Sequence, residues 1–276
     1  MHTFAALLLF LLLTPAWAAQ PRIVSINPCV DAVLVRVADA EQIGGISHYS
    51  QDPQSASMPL EIANRFHATS GTAEEVVALS PDFVMTGPHV SPATILALEK
   101  LKIQLVKQKV AEHVEQSYEQ IRQIAEIAGH PERGEALIAE IERAVEAARP
   151  KNSRRVGALI WQGGGIVPGG GSLADELLMK TGFRNLSVEY GLKKWDVLPL
   201  EYLVASPPDV LLSIGGGEAG RDRMMDHPAV RRLADHGMLF RRYPFRLLGC
   251  AGPSISEAVT RLAEIRREPV VEALAR

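Results

Sequence analysis

Apolar positions across residues 113–149 recur at helical spacing. Ile121, Ile124, Ala125 and Ala128 form one stripe, Gly129-His130-Pro131 interrupts it, and Leu137, Ile138, Ile141, Ala144, Val145 and Ala148 resume it until Pro150. The second stripe predicts a helix of about 18 residues, roughly 27 Å long at about 1.5 Å per residue, which is enough to cross between two globular lobes. To either side the period changes. Residues 22–26 and 155–160 read as buried strands, each followed by a loop containing Pro or Gly and then by a helix, over 30–37 and 173–180. A second pair of segments repeats this echo. Glu74 opens a short helix that stops at Pro81-Asp82 and enters Phe83-Val84-Met85. Glu201 opens the same succession, which stops at Pro208-Asp209 and enters Val210-Leu211-Leu212 with the same Glu-to-Asp spacing. Strand, loop, helix, strand, helix, strand in that order implies parallel sheets with crossover helices. The expected fold is therefore α/β: two lobes of parallel βα units joined by one long linking helix, with a ligand cleft between them. The lobes are placed at 19–130 and 150–276, and the linking helix at 131–149.

The N-terminus does not fit that pattern. An apolar run from Phe4 to Leu13, then Pro15 and Ala16-Trp17-Ala18, has the length and small-residue ending of a secretory signal, with cleavage expected after Ala18. The n-region Met1-His2-Thr3 has only the α-amino group as positive charge, and no cysteine lies near the cleavage point to carry a lipid anchor. An exported, periplasmic product without an anchor is the expectation. Among 276 residues, 29 Lys and Arg stand against 32 Asp and Glu for a net charge of −3, which argues against a nucleic-acid partner or an anionic membrane surface. Arg231, Arg232, Arg241 and Arg242 are diluted by Asp226 and Asp235 and are expected to form a solvated face. The two cysteines, Cys29 and Cys250, are no disulfide framework; in an oxidising compartment they are either bridged or a pair of buried thiols.

In open α/β sheets ligands bind at the carboxyl ends of the strands. The loops expected there are rich in Gly, Pro and aromatics: Asn27-Pro28-Cys29, Ser47-His48-Tyr49-Ser50, Gly87-Pro88-His89, residues 161–171, Gly215-Gly216-Gly217 and residues 249–254. Rival chemistries are weaker. His48, His67 and His89 would suit a transition metal, yet there is no histidine-rich loop beside them. The run from Gly163 to Ser172 sits between a strand and a helix, as an anion-binding loop would, but lacks the Gly-Lys-Ser/Thr ending of a P-loop and the Gly-x-Gly-x-x-Gly spacing. A hydrolase would need Cys29 or Ser172 in a nucleophile signature that the sequence does not contain.

This order of parts resembles the periplasmic substrate-binding proteins of ABC importers, specifically the class with a single rigid linking helix that serves cobalamin, iron-siderophores and haem. The resemblance spans residues 21–268 and rests on the paired Glu…Pro-Asp modules and the strand end Ser47-His48-Tyr49-Ser50. It implies no enzymatic activity and no resident cofactor. It implies instead a monomer that carries a metal-bearing chelate to a dimeric ABC permease, with Glu74 and Glu201 as the docking carboxylates. Glu75 is assigned to a Thr72-x-x-Glu75 capping box. Cobalamin binders of the class stack aromatics on the corrin; Tyr49 and Trp195 match two of that cage, whereas Ala68 and Gly87 replace two tryptophans, leaving Phe66, His67 and His89 to supply the wall. The expected ligand contacts are His48, Tyr49, His89, Trp161, Gln162, Gly165 and Trp195, with His48, Tyr49 or His89 as candidate axial ligands to the cargo's metal. Cobalamin ranks first as cargo, ferric siderophore second and haem third, ahead of bare zinc or hydrolysis.

Overall fold

The structure, a computed structural model, describes residues 20–214 and 227–275; the expected leader and Gly215-Gly216-Gly217 lie outside them. The first half contains β1 (Ile23–Ser25), α1 (Pro28–Val37), β2 (Ile43–Ser47), α2 (Leu60–Ala63), β3 (Ala68–Thr69), α3 (Ala73–Ala78), β4 (Phe83–Thr86), α4 (Pro92–Lys100), β5 (Gln104–Lys107) and α5 (Val114–Ala128). Its five strands form one parallel sheet in the order β3-β2-β1-β4-β5. α6 (Pro131–Ala148) follows, then β6 (Val156–Gln162), β7 (Ile166–Pro168), α7 (Leu173–Lys180), β8 (Phe183–Asn185), α8 (Leu186–Glu189), β9 (Trp195–Val197), α9 (Leu200–Ala205), β10 (Val210–Ile214), α10 (Pro228–Asp235), β11 (Leu239–Arg242), α11 (Ser254–Arg266) and α12 (Pro269–Glu272). In the second sheet β8, β6, β10 and β11 are parallel neighbours, repeating the β2-β1-β4-β5 arrangement of the first.

The repeated Pro-Asp has a shared structural task. Asp82 Oδ2 accepts from the Arg22 N–H at 2.7 Å, and Asp209 Oδ2 accepts from the Gly157 N–H at 2.8 Å. Each carboxylate thus satisfies a donor at the start of the lobe's first strand and aligns the strand that follows it beside that one.

One departure from an all-parallel second lobe is the antiparallel ribbon of β7 and β9, which continues from the end of β6 through Gln162 opposite Ile166. Gly164 and Gly165, at φ of 78° and 83°, reverse the chain there. The glycine run, read from sequence as a loop over 161–171, therefore contains a strand.

The linking segment forms as its punctuation requires. Gly129 ends α5 in the left-handed region, Pro131 starts α6, and the buried faces are Ile121, Ile124, Ala125 and Ala128 on one helix and Leu137, Ile138, Ile141, Val145 and Ala148 on the other. The helices approach closely at Gly134, where an added Cβ would lie 2.6 Å from that of Ala125. α6 does not stand free between the lobes. One continuous core joins α1, α5, α6, α7 and α11 with the inner faces of both sheets. Alternation sends Val156, Ala158 and Ile160 of β6 into that core and Leu159 and Trp161 into a second cluster on the other face.

Candidate ligand cleft

Because the strands of the first sheet are parallel, the loops after β1, β2 and β4 share one rim. Across from it stand the loop before α7, the β9 ribbon and residues 248–251. A cavity of about 290 Å³ lies between, lined by Asn27, Pro88 and His89 on one side and by Ser172, Lys194, Trp195 and residues 248–251 on the other. The two rims face one another.

Trp195, 45 % exposed at the start of β9, is the large apolar side chain of the second rim. Its presentation depends on glycine: a Cβ on Gly169 would sit 2.5 Å from the Leu192 carbonyl oxygen, so only glycine permits residues 168–170 to pair with 192–195. Lys194, just before Trp195, takes the left-handed conformation at φ 54°, uncommon for a non-glycine residue. Its Nζ reaches Glu112 Oε1 at 2.6 Å, an ion pair between the two rims. Lys194 holds the Glu112 carboxyl below the usual carboxylate range, first by hydrogen bonding and then by charge.

Cys29 and Cys250 are bridged, with Cα atoms 5.1 Å apart, and both line the cavity. Of the two states that the sequence left open, the structure has the disulfide, and it runs between the lobes. Further ties lie nearby. The Gly252 N–H donates to Ser117 Oγ at 2.8 Å, and the Val114 N–H donates to Glu176 Oε2 at 2.9 Å.

His48 and Tyr49 occupy a 3₁₀ turn, His48–Gln51, directly after β2. Their rings lie 4.1 Å apart, tilted by 35°, and His48 Nδ1 stands 3.2 Å from the Thr69 carbonyl oxygen. Tyr49 is 51 % exposed on the first rim, outside the residues that line the cavity itself. The turn is held from beneath by Asp31, a fully buried acid that sequence reading missed although it interrupts the apolar face Val30-Ala32-Val33. Asp31 Oδ2 accepts from the Ser47 N–H at 2.9 Å and the Ser50 hydroxyl at 2.7 Å, while Oδ1 has no partner among the described residues. Burial pushes the Asp31 carboxyl up to about 7 against the opposing pull of Ser25, Ser50 and Ser47.

Other expected contacts fall differently. Trp161, 1 % exposed, belongs to strand β6 and packs in the second lobe's outer cluster, because β6 runs on through Gln162 rather than ending before the tryptophan. Gln162 and Gly165 lie at the β6–β7 turn; Gly165 is buried where a Cβ would meet the Leu198 carbonyl oxygen at 2.9 Å. None of the three lines the cavity, whereas His89 and Trp195 do. At Gly87 an added Cβ would stand 2.4 Å from Asn27 Nδ2, so a side chain there would have to displace the Asn27 amide, and Phe66 packs against the core. The described residues contain no group of three or more His, Cys, Asp or Glu placed to hold a metal ion. At the start of α7 the Gly171 and Asp175 N–H groups are taken by Asp175 Oδ2 and Ser172 Oγ. Glu74 and Glu201 are exposed at equivalent points on α3 and α9, and neither forms an ion pair among the described residues. Thr72 caps α3 as expected, but the Glu75 carboxylate reaches back to the Ser70 N–H and the Thr69 hydroxyl.

Two sheets of matching strand order, a long helix between them and a cleft between their strand-end rims define a two-lobed ligand-binding protein. The periplasmic binding protein profile matches residues 23–234, and the chain belongs to that family. Among curated relatives, the vitamin B12-binding protein of Yersinia pestis (strain Pestoides F) is 23 % identical over 216 residues, covering 76 % of this chain and 75 % of the relative. Among solved structures, the periplasmic heme-binding protein RhuT from Roseiflexus sp. RS-1 in its apo form superposes with a TM-score of 0.74 at 23 % identity, covering 92 % of this chain and 99 % of that one. The periplasmic heme-binding protein BhuT in complex with two hemes gives a TM-score of 0.73 at 20 % identity, with 92 % and 99 % covered. No helix among the described residues is long and apolar enough to cross a membrane.

Proposed function

We propose that this chain, once exported, captures a bulky metal-bearing chelate between its lobes, a corrinoid first, and delivers it to a dimeric ABC permease. The observation that supports this best is the half-exposed indole of Trp195, held at the cleft by a glycine-dependent backbone pairing. A large apolar ring amid Lys193, Lys194 and Asp196 is suited to lie against a flat ligand. The likeness to vitamin B12-binding relatives favours the corrinoid. The cavity of about 290 Å³ is at the lower edge of the roughly 300–1,000 Å³ usual for small-molecule sites, so a macrocycle would rest across its mouth and extend toward the rim that carries Tyr49. Haem is the second reading, favoured by the adjoining His48 and Tyr49 rings, which offer an imidazole or a phenolate to iron. Ferric siderophores, ranked second on the sequence, become the third cargo of the same site.

Titration of the mature protein with cyanocobalamin, hemin and ferrioxamine B, read by tryptophan fluorescence, tests the proposal. Trp195 lines the cleft and Trp161 is buried in the same lobe, so a coloured ligand bound there should quench the fluorescence of the mature protein. Saturable quenching by one ligand with no product formed is the expected result; absence of binding by all three would remove the proposal.

A further inference from the structure

The segment 249–253 belongs to the second lobe by sequence, since it leads into α11, yet three independent features fasten it to the first. Cys250 is bonded to Cys29, the second residue of α1. Gly252 donates to Ser117 on α5 in a buried hydrogen bond. Gly252 also sits against α1 so closely that a Cβ would lie 2.8 Å from Val33 Cγ2, and its φ of 81° is one that glycine adopts without strain. The covalent tie, the hydrogen bond and the close packing lie along one seam between the lobes: Cys29 and residues 248–251 line the cavity, and Cys29, Val33, Ser117, Ala251 and Gly252 line a smaller recess beside it.

We propose that residues 249–253 are a clamp that sets the width of the cleft, with the Cys29–Cys250 bond as its lock, and that this width selects among cargoes by breadth. The selection rests on the chelate-capture reading; the clamp itself does not. With the bond in place the rims can part by bending near the partly exposed Glu112–Lys194 pair, but not by separation along the seam at 249–253. Without it, the seam is held only by the interlobe hydrogen bonds and packing, which open in local fluctuations.

The test compares three forms of the full mature chain: bridged wild type, wild type reduced with a phosphine, and the double variant Cys29→Ser/Cys250→Ser. Amide hydrogen exchange at Gly252 and Val114 reports whether the seam opens, because both N–H groups are bonded between the lobes. Loss of the bond should speed exchange at Gly252 by at least about tenfold while the circular dichroism of the core helices is retained. Equal exchange in all three forms would overturn the clamp. If the double variant does not fold, the reduced wild type carries the comparison. The second arm measures affinities for cyanocobalamin and the smaller ferrioxamine B. Unlocking should shift their ratio toward cyanocobalamin by at least about fivefold. Faster exchange with an unchanged ratio would overturn selection by width. Binding of neither ligand to the bridged form would refute chelate capture, leaving the exchange result to judge the clamp.

Discussion

Glu112 and Lys194 meet at 2.6 Å between the two rims, one from the segment leading into α5 and the other beside Trp195. Both side chains are partly exposed, so the pair adds little to folding stability, but it neutralises a lysine at the lip of the cleft. Glu112→Gln should free that cation. Hemin and other anionic chelates should then bind about two- to fivefold tighter at low salt, with the gain lost near 1 M salt, whereas cyanocobalamin should change little. Fluorescence titrations at two ionic strengths measure this. Equal effects on anionic and neutral ligands would show that the pair does not act on cargo charge. Because Lys194 depresses the Glu112 carboxyl, the pair persists through the neutral range and is lost as pH falls below the ordinary carboxylate value.

Trp195 is exposed enough that its removal leaves no core cavity. Trp195→Ala is expected to weaken cargo binding by roughly tenfold or more while shifting the melting temperature only slightly, since an aromatic stacking face contributes about 1–3 kcal/mol when a ligand covers it. Calorimetry is the appropriate measurement, because the substitution also removes the fluorescent reporter. Unchanged affinity would show that the indole is not a ligand contact.

Asp31 makes folding sensitive to pH. Its carboxyl is raised from the ordinary 3.8 to about 7 in the folded state, so folding takes up a proton. The resulting stability is fully present below about pH 4 and is lost as pH rises through about 7, by on the order of 2–4 kcal/mol at most. Asp31→Asn should flatten the dependence of melting temperature on pH between 5 and 8. A variant that keeps the wild-type slope would assign the slope to another group. The same substitution leaves one acceptor oxygen for Ser47 and Ser50, so it should loosen the turn that carries Tyr49 less than Asp31→Ala, which removes both oxygens.

Much of the architecture was legible because it rests on periodicity and punctuation. Helical spacing located α5 and α6, Gly129 and Pro131 separated them, and the repeated Glu…Pro-Asp marked two lobes whose Asp82 and Asp209 proved to anchor equivalent strands. The β7–β9 ribbon escaped because glycine run and loop look alike in sequence, while Gly164, Gly165 and Gly169 are there to turn the chain and let it pair. Trp161 was misplaced by extending the loop over the last residues of β6. The remaining site residues join positions far apart in the chain. Nothing local shows that Glu112 meets Lys194 or that Gly252 packs on Val33, although Asp31 amid apolar neighbours was a signal that could have been read.

The interlobe disulfide closes a loop of 221 residues, and in the chain-entropy account such a bond contributes up to about 5 kcal/mol by restricting the unfolded chain. Urea unfolding with and without reductant should therefore show a stability loss of about 3–5 kcal/mol. The continuous core around α6 should keep the reduced protein folded in the absence of denaturant. A loss under about 1 kcal/mol would mean that the unfolded chain already keeps these segments near each other.

Glu74 and Glu201 sit at the same point of repeated modules, each in the first turn of a short helix, exposed, and unpaired among the described residues. Glu75, one residue on, is instead occupied with Thr69 and Ser70, which leaves Glu74 as the exposed carboxylate of the pair that the docking reading requires. The continuous core and the disulfide hold the two modules in fixed relation, so the carboxylates can match paired cationic sites on a two-fold permease. Replacing both with Gln should leave cargo affinity and melting temperature within error of wild type and abolish cargo uptake by cells that depend on this protein. Each single substitution should give partial loss, and Glu74→Asp should retain more uptake than Glu74→Gln because the charge is kept. Undiminished uptake by the double variant would assign permease docking to other surfaces of the two lobes.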